Sequence, residues 1–289
     1  MAAGSLAWPR GSSRPRPRNY GHIWVYAGMV LLSLVAALPF VWAFLTSLKP
    51  ERQIFVFPPQ VLPDPATAYN YGRAIDHGLL LALFNSSVVS LATVCLVLVA
   101  GTLAAYPLAR IAFRGSQVVL FLIIAPMMIP GLVNLVPTYM VMAKLGLLDS
   151  YQGLILIYWV HALPLAIWIL RGFFQTIPGE LEDAGAVDGC TRLQSLWLIV
   201  LPLAQPALAA VALLVFLNAW NEFVIASIMT SSSLMRTAQV FLYLNMTDVG
   251  VNWGEMMASA LAINVPVLAL FLLLQRRFIA GLTAGALRF

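Results

Sequence analysis

Long apolar stretches separated by short polar segments dominate the pattern along the chain. Each stretch reaches the roughly 20 residues that a helix rising 1.5 Å per residue needs to cross about 30 Å of hydrocarbon. Apolar and polar positions do not alternate in the segments of about ten residues that are typical of transmembrane barrels. The pattern therefore predicts an all-α integral membrane bundle of six transmembrane helices. The six predicted spans lie at about residues 22–47, 82–108, 117–142, 152–174, 200–230 and 256–276.

The composition supports this assignment. Hydrophobic residues make up 61% of the 289 positions and charged residues only 9%, with a mean hydropathy of +0.89. A soluble domain carries roughly 25% charged residues, so a water-soluble fold would have to expose much of this apolar surface. Lipid is the solvent that this composition fits.

The distribution of Lys and Arg between the loops predicts the orientation, because cytoplasmic loops are enriched in these residues. With the N-terminus inside, most of the 16 basic residues fall on the cytoplasmic side, and both termini lie there too. The predicted inner residues are Arg10, Arg14, Arg16, Arg18, Arg110, Arg114, Arg171, Arg192, Arg276, Arg277 and Arg288. The predicted outer residues are Lys49, Arg52, Arg73, Lys144 and Arg236.

The residues before the first span are basic and rich in proline, which predicts a disordered N-terminal tail over 1–20. The apolar stretch that follows, from Ile23 to Leu48, is longer than the 7–15 residues of a signal-peptide core. We therefore interpret it as a transmembrane anchor. The predicted membrane domain covers 21–280, and a short cytoplasmic tail covers 281–289.

Several classes of chemistry find no support in the sequence. Cys95 is predicted inside the membrane and Cys190 in a cytoplasmic loop, too far apart to pair, and no Cys/His cluster has metal-ligand spacing. Phosphate-binding glycine loops, nucleophile elbows and basic-aromatic nucleic-acid surfaces are also missing. We expect no catalytic residue, no metal site, no cofactor and no nucleic-acid partner for this chain.

Proline interrupts the third span, in "APMMIPGLVNLVPTY", and predicts a kinked helix. A proline frees backbone carbonyls, which must then be satisfied by protein or by water. Asn134 could therefore face a polar path, although a purely structural kink fits equally well. His161, in the fourth span, is more often a packing histidine than a proton relay.

The fifth span carries the polar cluster "NAWNEF", with Asn218, Asn221 and Glu222. Their spacing of three and four residues places them on one face of a helix. Glu222 lies 20 residues past Pro202, which is roughly 30 Å along a continuous helix and so near the outer interface. A carboxylate and two amides there suit a hydroxyl-rich ligand or a neighbouring helix. We predict that these three residues line a substrate path or contact a partner.

The segment "ELEDAGAVDG", from Glu180 to Gly189, holds four of the eleven acidic residues. A helix with Pro178 at its first position would place three of them in or just beyond its first turn, where negative charge complements the helix dipole. Gly189 suits a turn with positive φ, and a second short helix is predicted over 191–200. Ala184 and Gly185 form a small face that permits close approach of another protein. A solvated, well-capped surface helix is the simpler reading.

The spacing of this segment resembles the cytoplasmic loop of permease subunits of ATP-binding-cassette (ABC) importers that depend on a substrate-binding protein. The family pattern is Glu-Ala-Ala, three residues, Gly, nine residues, then Ile-x-Leu-Pro. This sequence has Asp183-Ala184-Gly185, then Gly189, then "IVLP" over 199–202. Asp183 replaces Glu and keeps the charge. Gly185 replaces the second Ala, which predicts a helix weaker by up to ~1 kcal/mol.

Other stretches resemble the sugar-importing, maltose-permease-like branch of that family, and the resemblance covers roughly 20–289. They are "NSSVVS" at 85–90, "AAYPLAR" at 104–110, "LGLLDS" at 145–150, "WNEF" at 220–223 and "QRRFIAGLTAGALRF" at 275–289. The resemblance implies a multi-pass permease of the prokaryotic inner membrane without its own ATPase site. It also implies a second permease, usually as a heterodimer, an extracytoplasmic binding protein, and two ATPase subunits that hold ATP and Mg.

By resemblance, the loop at 175–202 is a coupling-helix loop that presses into a groove of an ATPase subunit. The implied docking residues are Glu182, Asp183, Ala184, Gly185 and Gly189. The solute stays open, since oligosaccharides, disaccharides and glycerol-phosphate compounds all fit this branch. The main alternative is a proton-coupled secondary transporter of a polar solute, which would need buried acids or histidines near the midplane. An intramembrane enzyme is the other alternative.

Overall fold

The computed structural model describes residues 21–244, 246–247 and 250–286. The predicted tail at 1–20 lies outside them. The chain divides into two compact units with the boundary between Ala43 and Phe44. The described part of the first unit belongs to helix α1, Gly21–Ser47, whose apolar sequence is long enough to cross a membrane. This helix confirms the first predicted span.

The second unit is built from helices joined by short connections. Its main helices are α2 (Tyr69–Asp76), α3 (Leu79–Arg110), α4 (Ser116–Ile124), α5 (Leu135–Lys144), α6 (Tyr151–Thr176), α7 (Glu180–Val187), α8 (Arg192–Ser195), α9 (Leu201–Leu203), α10 (Gln205–Asn221), α11 (Val224–Met229), α12 (Ala238–Leu244) and α13 (Trp253–Ala286). Single 3₁₀ turns lie at Glu51–Gln53, Ala125–Met128, Gly131–Asn134 and Ser233–Met235, and a π-turn at Leu196–Val200. Two-residue strands β1 (Met246–Thr247) and β2 (Gly250–Val251) pair antiparallel.

Helices α3, α6 and α10 form the core of the second unit. Near the end of α3 that carries Arg110, a buried cluster joins Ala105, Leu170, Phe174 and Val200. At the opposite end, Val89, Leu154 and other apolar residues form a second cluster with α11 and α12. A third cluster, around Trp220, brings α2 and α13 onto the same core. The all-α bundle predicted from the sequence is confirmed.

Four of the six predicted spans are single helices in the structure, and two are broken. The predicted third span, 117–142, is a pair of segments, Ser116–Met128 and Gly131–Lys144, bent by 87°. Pro130 lies at the break, in agreement with the predicted kink. The predicted fifth span, 200–230, is wrong as one helix. Arg192–Leu203 and Gln205–Asn221 are bent by 79°, and α11 follows as a separate short helix.

The last helix is longer than the predicted sixth span, since α13 runs from Trp253 to Ala286. The predicted domain boundary at 280 therefore falls inside a helix, and 287–289 lie outside the described residues. The start of α13 is fixed by Glu255, which is 2% exposed and pairs with Arg73 at 3.3 Å and His77 at 2.6 Å. These contacts tie α13 to α2.

Candidate functional site

The acidic segment forms two short helices joined by a turn, as predicted. Glu180, Glu182 and Asp183 occupy the first turn of α7, where they complement the helix dipole. After α7, Gly189 has a φ of +89°, a conformation that L side chains rarely adopt. The Thr191 and Gln194 side chains form a capping box that starts α8. The turn at Gly189 and the capping box of α8 fix the angle between α7 and α8.

Glu182 faces into the protein and is held by two residues of α3. Tyr106 Oη donates to Glu182 Oε2 at 2.6 Å, and Arg110 Nε lies 2.6 Å from Glu182 Oε1. The side chains of Arg110 and Glu182 are only 17% and 14% exposed. We name these three residues the α3–α7 cluster. Both carboxylate oxygens of Glu182 contact Tyr106 or Arg110 within the protein. The side chain is therefore mostly covered, although the family resemblance implied a docking role for it.

Arg110 has a second role at the same place. Its Nη2 donates to the carbonyl of Ile177 at 2.8 Å, in the connection between α6 and α7. Arg171 of α6 donates to the carbonyl of Leu108 at 3.1 Å. The end of α3 is therefore bonded to α6, to the α6–α7 connection and to α7.

Gly185 also faces inward and is buried. A Cβ atom at this position would lie 2.6 Å from Cδ1 of Ile199 and 3.8 Å from Oγ of Ser195. The absence of a side chain lets α7 lie close to the π-turn that follows α8. The small face predicted from the sequence is thus divided: Gly185 packs on the protein itself, whereas Ala184 is exposed.

The outward surface of the segment includes the remaining predicted docking residues and two apolar neighbours, beside the exposed Glu180, Ala186 and Asp188. Asp183, Ala184 and Gly189 are exposed, and Val187 and Leu181 are 88% and 43% exposed. We name these five residues the outer α7 face. It combines one carboxylate, small residues and exposed apolar carbon.

A cavity of about 300 Å³ lies between α3, α6 and α10 in the apolar part of the bundle. Its walls are mainly apolar, with a few polar side chains: Thr93, Tyr158, His161, Asn218 and Glu222. Pockets of this kind, apolar with a few placed polar groups, are typical of small-molecule sites.

Glu222 stands at the break between α10 and α11. Its Oε1 accepts from the backbone N–H of Ile225 at 2.8 Å and its Oε2 from that of Ala226 at 2.9 Å. Tyr158 Oη donates to the same Oε2 at 2.8 Å. The sequence predicted that Glu222 lies within a continuous helix, and this was wrong. Helix α10 ends at Asn221, and Glu222 caps the start of α11 instead. Its carboxylate forms one edge of the cavity.

The two predicted asparagines have different surroundings. Asn218 lines the cavity with Glu222, and its Nδ2 donates to the carbonyl of Leu214 in its own helix at 2.8 Å. Asn221 is not among the cavity residues; its Oδ1 accepts from Gln239 of α12 at 3.3 Å. The predicted shared face therefore holds for Asn218 and Glu222 and not for Asn221.

A second cavity, of about 710 Å³, lies against the bent span formed by α4 and α5. Asn134, Thr138 and Pro137 line it, and His161 lies between this cavity and the first. Asn134 therefore lines a cavity whose other residues are mainly apolar. Within the described residues, no group of three His, Cys, Asp or Glu side chains is placed to hold a metal ion.

Residues 97–283 match the family described as the binding-protein-dependent transport system inner membrane component. This region includes the acidic segment and nearly all of both cavities. The chain belongs to this family.

Two relatives of this permease match along most of its length. It is 39% identical over 251 residues to the sulfoquinovosyl glycerol transport system permease protein SmoH of Agrobacterium fabrum, covering 86% of this chain and 88% of that protein. It is 37% identical over 257 residues to the trehalose transport system permease protein SugB of Mycobacterium tuberculosis, covering 88% and 93%.

A solved structure gives the same fold. A chain of a bacterial ABC transporter involved in the import of the acidic polysaccharide alginate aligns with a TM-score of 0.77 and 26% identity, covering 92% of this permease and 100% of that chain. The fold predicted from the sequence is thus that of an ABC importer permease. It places this chain among multi-pass proteins of the inner membrane.

Sequence analysis of the permease missed the partners of its acidic and polar residues. Tyr106 lies in "AAYPLAR", and Arg110 is predicted there and as an inner basic residue, but neither is predicted to contact Glu182, and no signal in the sequence points to Tyr158. The signal available for the first pair was their spacing, since residues four apart share a helix face. Tyr158 stands three residues before His161 in an apolar helix, and nothing in that pattern indicates its bond to Glu222.

Proposed function

We propose that this permease is a subunit of an ATP-driven ABC importer. It forms, with a second permease, the membrane path for a sugar or sugar-like solute that an extracytoplasmic binding protein delivers. The outer α7 face carries this proposal: it is an exposed, partly apolar surface on a helix that is firmly bonded to the bundle behind it. Such a surface suits docking on an ATPase subunit.

The polar groups of the first cavity support a hydroxyl-bearing solute. Asn218, Thr93 and His161 offer donors and acceptors within largely apolar walls. The relatives named above are a sulfoquinovosyl glycerol and a trehalose transport permease, and another, of Streptomyces coelicolor, belongs to a diacetylchitobiose uptake system. These names support a solute of the carbohydrate class, and the binding protein selects the individual solute.

The proposed assembly contains two ATPase subunits that hold ATP and Mg, a partner permease and the binding protein. A bacterial alginate ABC transporter has been solved in complex with an oligosaccharide-bound periplasmic protein, and it shares the fold of this chain. We place α7 on the cytoplasmic side together with both termini, as the distribution of Lys and Arg predicts. The exposed carboxylate of Asp183 would then meet basic groups of the ATPase.

The test is a substitution at the turn of the acidic segment in the complete complex, reconstituted in vesicles with the binding protein and solute. Gly189→Asp places a side chain and a charge beside the outer α7 face. Gly115→Asp is the matched control, since Gly115 is exposed, has a φ of +92° and lies in another loop. Both substitutions carry the same backbone strain and the same charge.

We expect Gly189→Asp to abolish solute-stimulated ATP hydrolysis and uptake while the protein still inserts in the membrane, and Gly115→Asp to retain both. Normal coupled hydrolysis in the Gly189→Asp complex would refute the docking assignment. Uptake driven by a proton gradient without ATPase subunits would favour a secondary transporter instead. The occupied carboxylate of Glu222 argues against that alternative, because three donors already hold its two oxygens.

A further inference from the structure

We infer that Tyr106 and Arg110 are positioning residues that make α7 and α3 move together, an inference that rests on the proposed docking of α7 on an ATPase. The α3–α7 cluster connects the two helices. It transmits a displacement of the docked helix α7 to α3, the longest of the three core helices. Neither residue lines either cavity.

The contacts of the cluster are short: Tyr106 forms a directional hydrogen bond with Glu182, and Arg110 Nε forms an ion pair with it. Glu182 receives the Tyr106 hydroxyl and the Arg110 guanidinium on different oxygens, each at 2.6 Å. Charge-assisted contacts of this kind are stronger than neutral hydrogen bonds and restrict geometry more. Arg110 also bonds the carbonyl of Ile177, so both α7 and the connection that leads into it are attached to α3.

Burial makes the contacts of the α3–α7 cluster costly to break. Tyr106 is 8% exposed, and the charged pair is mostly covered by protein. Removing one member of a buried ion pair leaves an uncompensated charge, which costs more than the pair contributes when intact. A movement of α7 relative to α3 would separate the pair in the same way. The two helices are therefore expected to move as one body.

The other attachment of α7 is different in kind. Gly185 lies against the Ile199 side chain, an apolar contact without direction. Such a contact permits sliding, because apolar attraction depends on buried area rather than on angle. The α3–α7 cluster is thus the contact that transmits both the direction and the distance of a displacement.

Helix α3 is bonded at its opposite end as well. Asn85 donates to the carbonyls of Leu234 and Arg236, each at 2.9 Å, and Ser86 Oγ accepts from the N–H of Ala238 at 2.8 Å. About 38 Å of helix separate Asn85 from Arg110, at 1.5 Å per residue. Thr93, between them, lines the first cavity. A shift of α3 at the acidic segment therefore reaches both the cavity and the loop at 234–238.

The experiment compares solute imported per ATP hydrolysed in vesicles that contain the complete transporter. The test variants are Tyr106→Phe, which removes one hydroxyl, Glu182→Ala and the double variant. The controls are Tyr139→Phe and Glu180→Ala, which remove the same groups from exposed side chains of α5 and α7. Co-purification with the ATPase subunits and basal ATP hydrolysis are measured on the same preparations.

We expect Glu182→Ala to lower the ratio of solute to ATP by about fivefold or more, the lower range of coupling between sites. Tyr106→Phe lowers it in the same direction, with ATPase association and basal hydrolysis retained. The double variant is no worse than Glu182→Ala alone, because Tyr106 has then already lost its acceptor. Both controls keep the normal ratio.

An unchanged ratio in Tyr106→Phe, or additive losses in the double variant, would overturn the inference while the proposed function stands. An equal loss in Glu180→Ala would also overturn it, since the effect would then follow charge alone. If Glu182→Ala fails to assemble, the ratio of solute to ATP in Tyr106→Phe, compared with that in Tyr139→Phe, tests the inference. Failure of the unmodified chain to associate with any ATPase would instead defeat the proposed function.

Discussion

Gly185 of α7 faces the side chain of Ile199, and a Cβ atom on Gly185 would lie 2.6 Å from Cδ1 of that isoleucine. This is closer than real Cβ contacts, so the isoleucine would have to move for any larger residue to fit. Glycine weakens a helix by up to ~1 kcal/mol relative to alanine. Glycine at this position leaves room for the end of the Ile199 side chain against α7.

The first prediction follows from this contact. Gly185→Ala gains helix propensity but must displace Ile199, whereas Ile199→Val removes the obstructing methyl group. We expect the alanine to stabilise the protein by about 1 kcal/mol more in the Ile199→Val background than in the original chain. Thermal unfolding of the four proteins, purified in detergent, measures this difference. Equal effects of Gly185→Ala in both backgrounds would contradict the assigned contact.

Glu222 and Asn218 should have separable effects. Glu222→Ala leaves the N–H groups of Ile225 and Ala226 and the Tyr158 hydroxyl without their acceptor, so we expect a loss of about 2 kcal/mol or more in stability. Asn218→Ala removes a cavity group that bonds only its own helix, and should lower uptake with little change in melting temperature. Asn221→Ala, outside the cavity, serves as the control for uptake.

Asn85 is the third target. It is 1% exposed, donates to the Leu234 and Arg236 carbonyls and accepts from Tyr151 Oη at 2.6 Å. Asn85→Asp keeps the shape but turns an oxygen toward two carbonyls, so we expect a large drop in melting temperature and in folded yield. Asn264→Asp is the control, since Asn264 is exposed and bonds only the carbonyl of Ala260. Similar melting temperatures for the two variants would argue against the attachment.

Asp149 predicts a pH dependence. Partial burial raises its pKa, but hydrogen bonds from Ser232 and from the N–H of Ser231 outweigh this and hold the pKa below its ordinary value of 3.8. Its stabilising effect is therefore complete above pH 3.8 and is lost as the pH falls through the lower folded-state value. The melting-temperature difference between the original chain and Asp149→Asn should be constant near neutral pH and shrink below pH 3.8. A constant difference down to pH 2 would refute this.

Much of the fold could be predicted because it depends on local pattern. Six apolar stretches, the proline break near Pro130 and the two-helix acidic segment all follow from spacing and backbone chemistry. The predicted fifth span missed the bend at Ala204 because another apolar helix, α10, follows the bend. Glu222 looked like a helix-interior residue because its capping role depends on where α10 stops, which tertiary packing decides.

The candidate site was predicted less completely, since its decisive contacts join distant positions. Glu182 lies far along the chain from Arg110, and its carboxylate could equally have faced solvent. The sequence indicated which residues were acidic or small but not which side of α7 each would occupy. Only the packing of α7 against α3 and the π-turn separates Glu182 and Gly185 from Asp183 and Ala184.

The separation of Glu182 and Gly185 from Asp183 and Ala184 has a consequence for the proposed docking surface. The residues that attach α7 to its own protein lie on one side of the helix, and the outer α7 face lies on the other. Substitutions on the outward side can therefore accumulate without loosening the helix from its support. Under the proposed docking, a permease built this way can be adapted to a different ATPase by changes confined to a few surface positions.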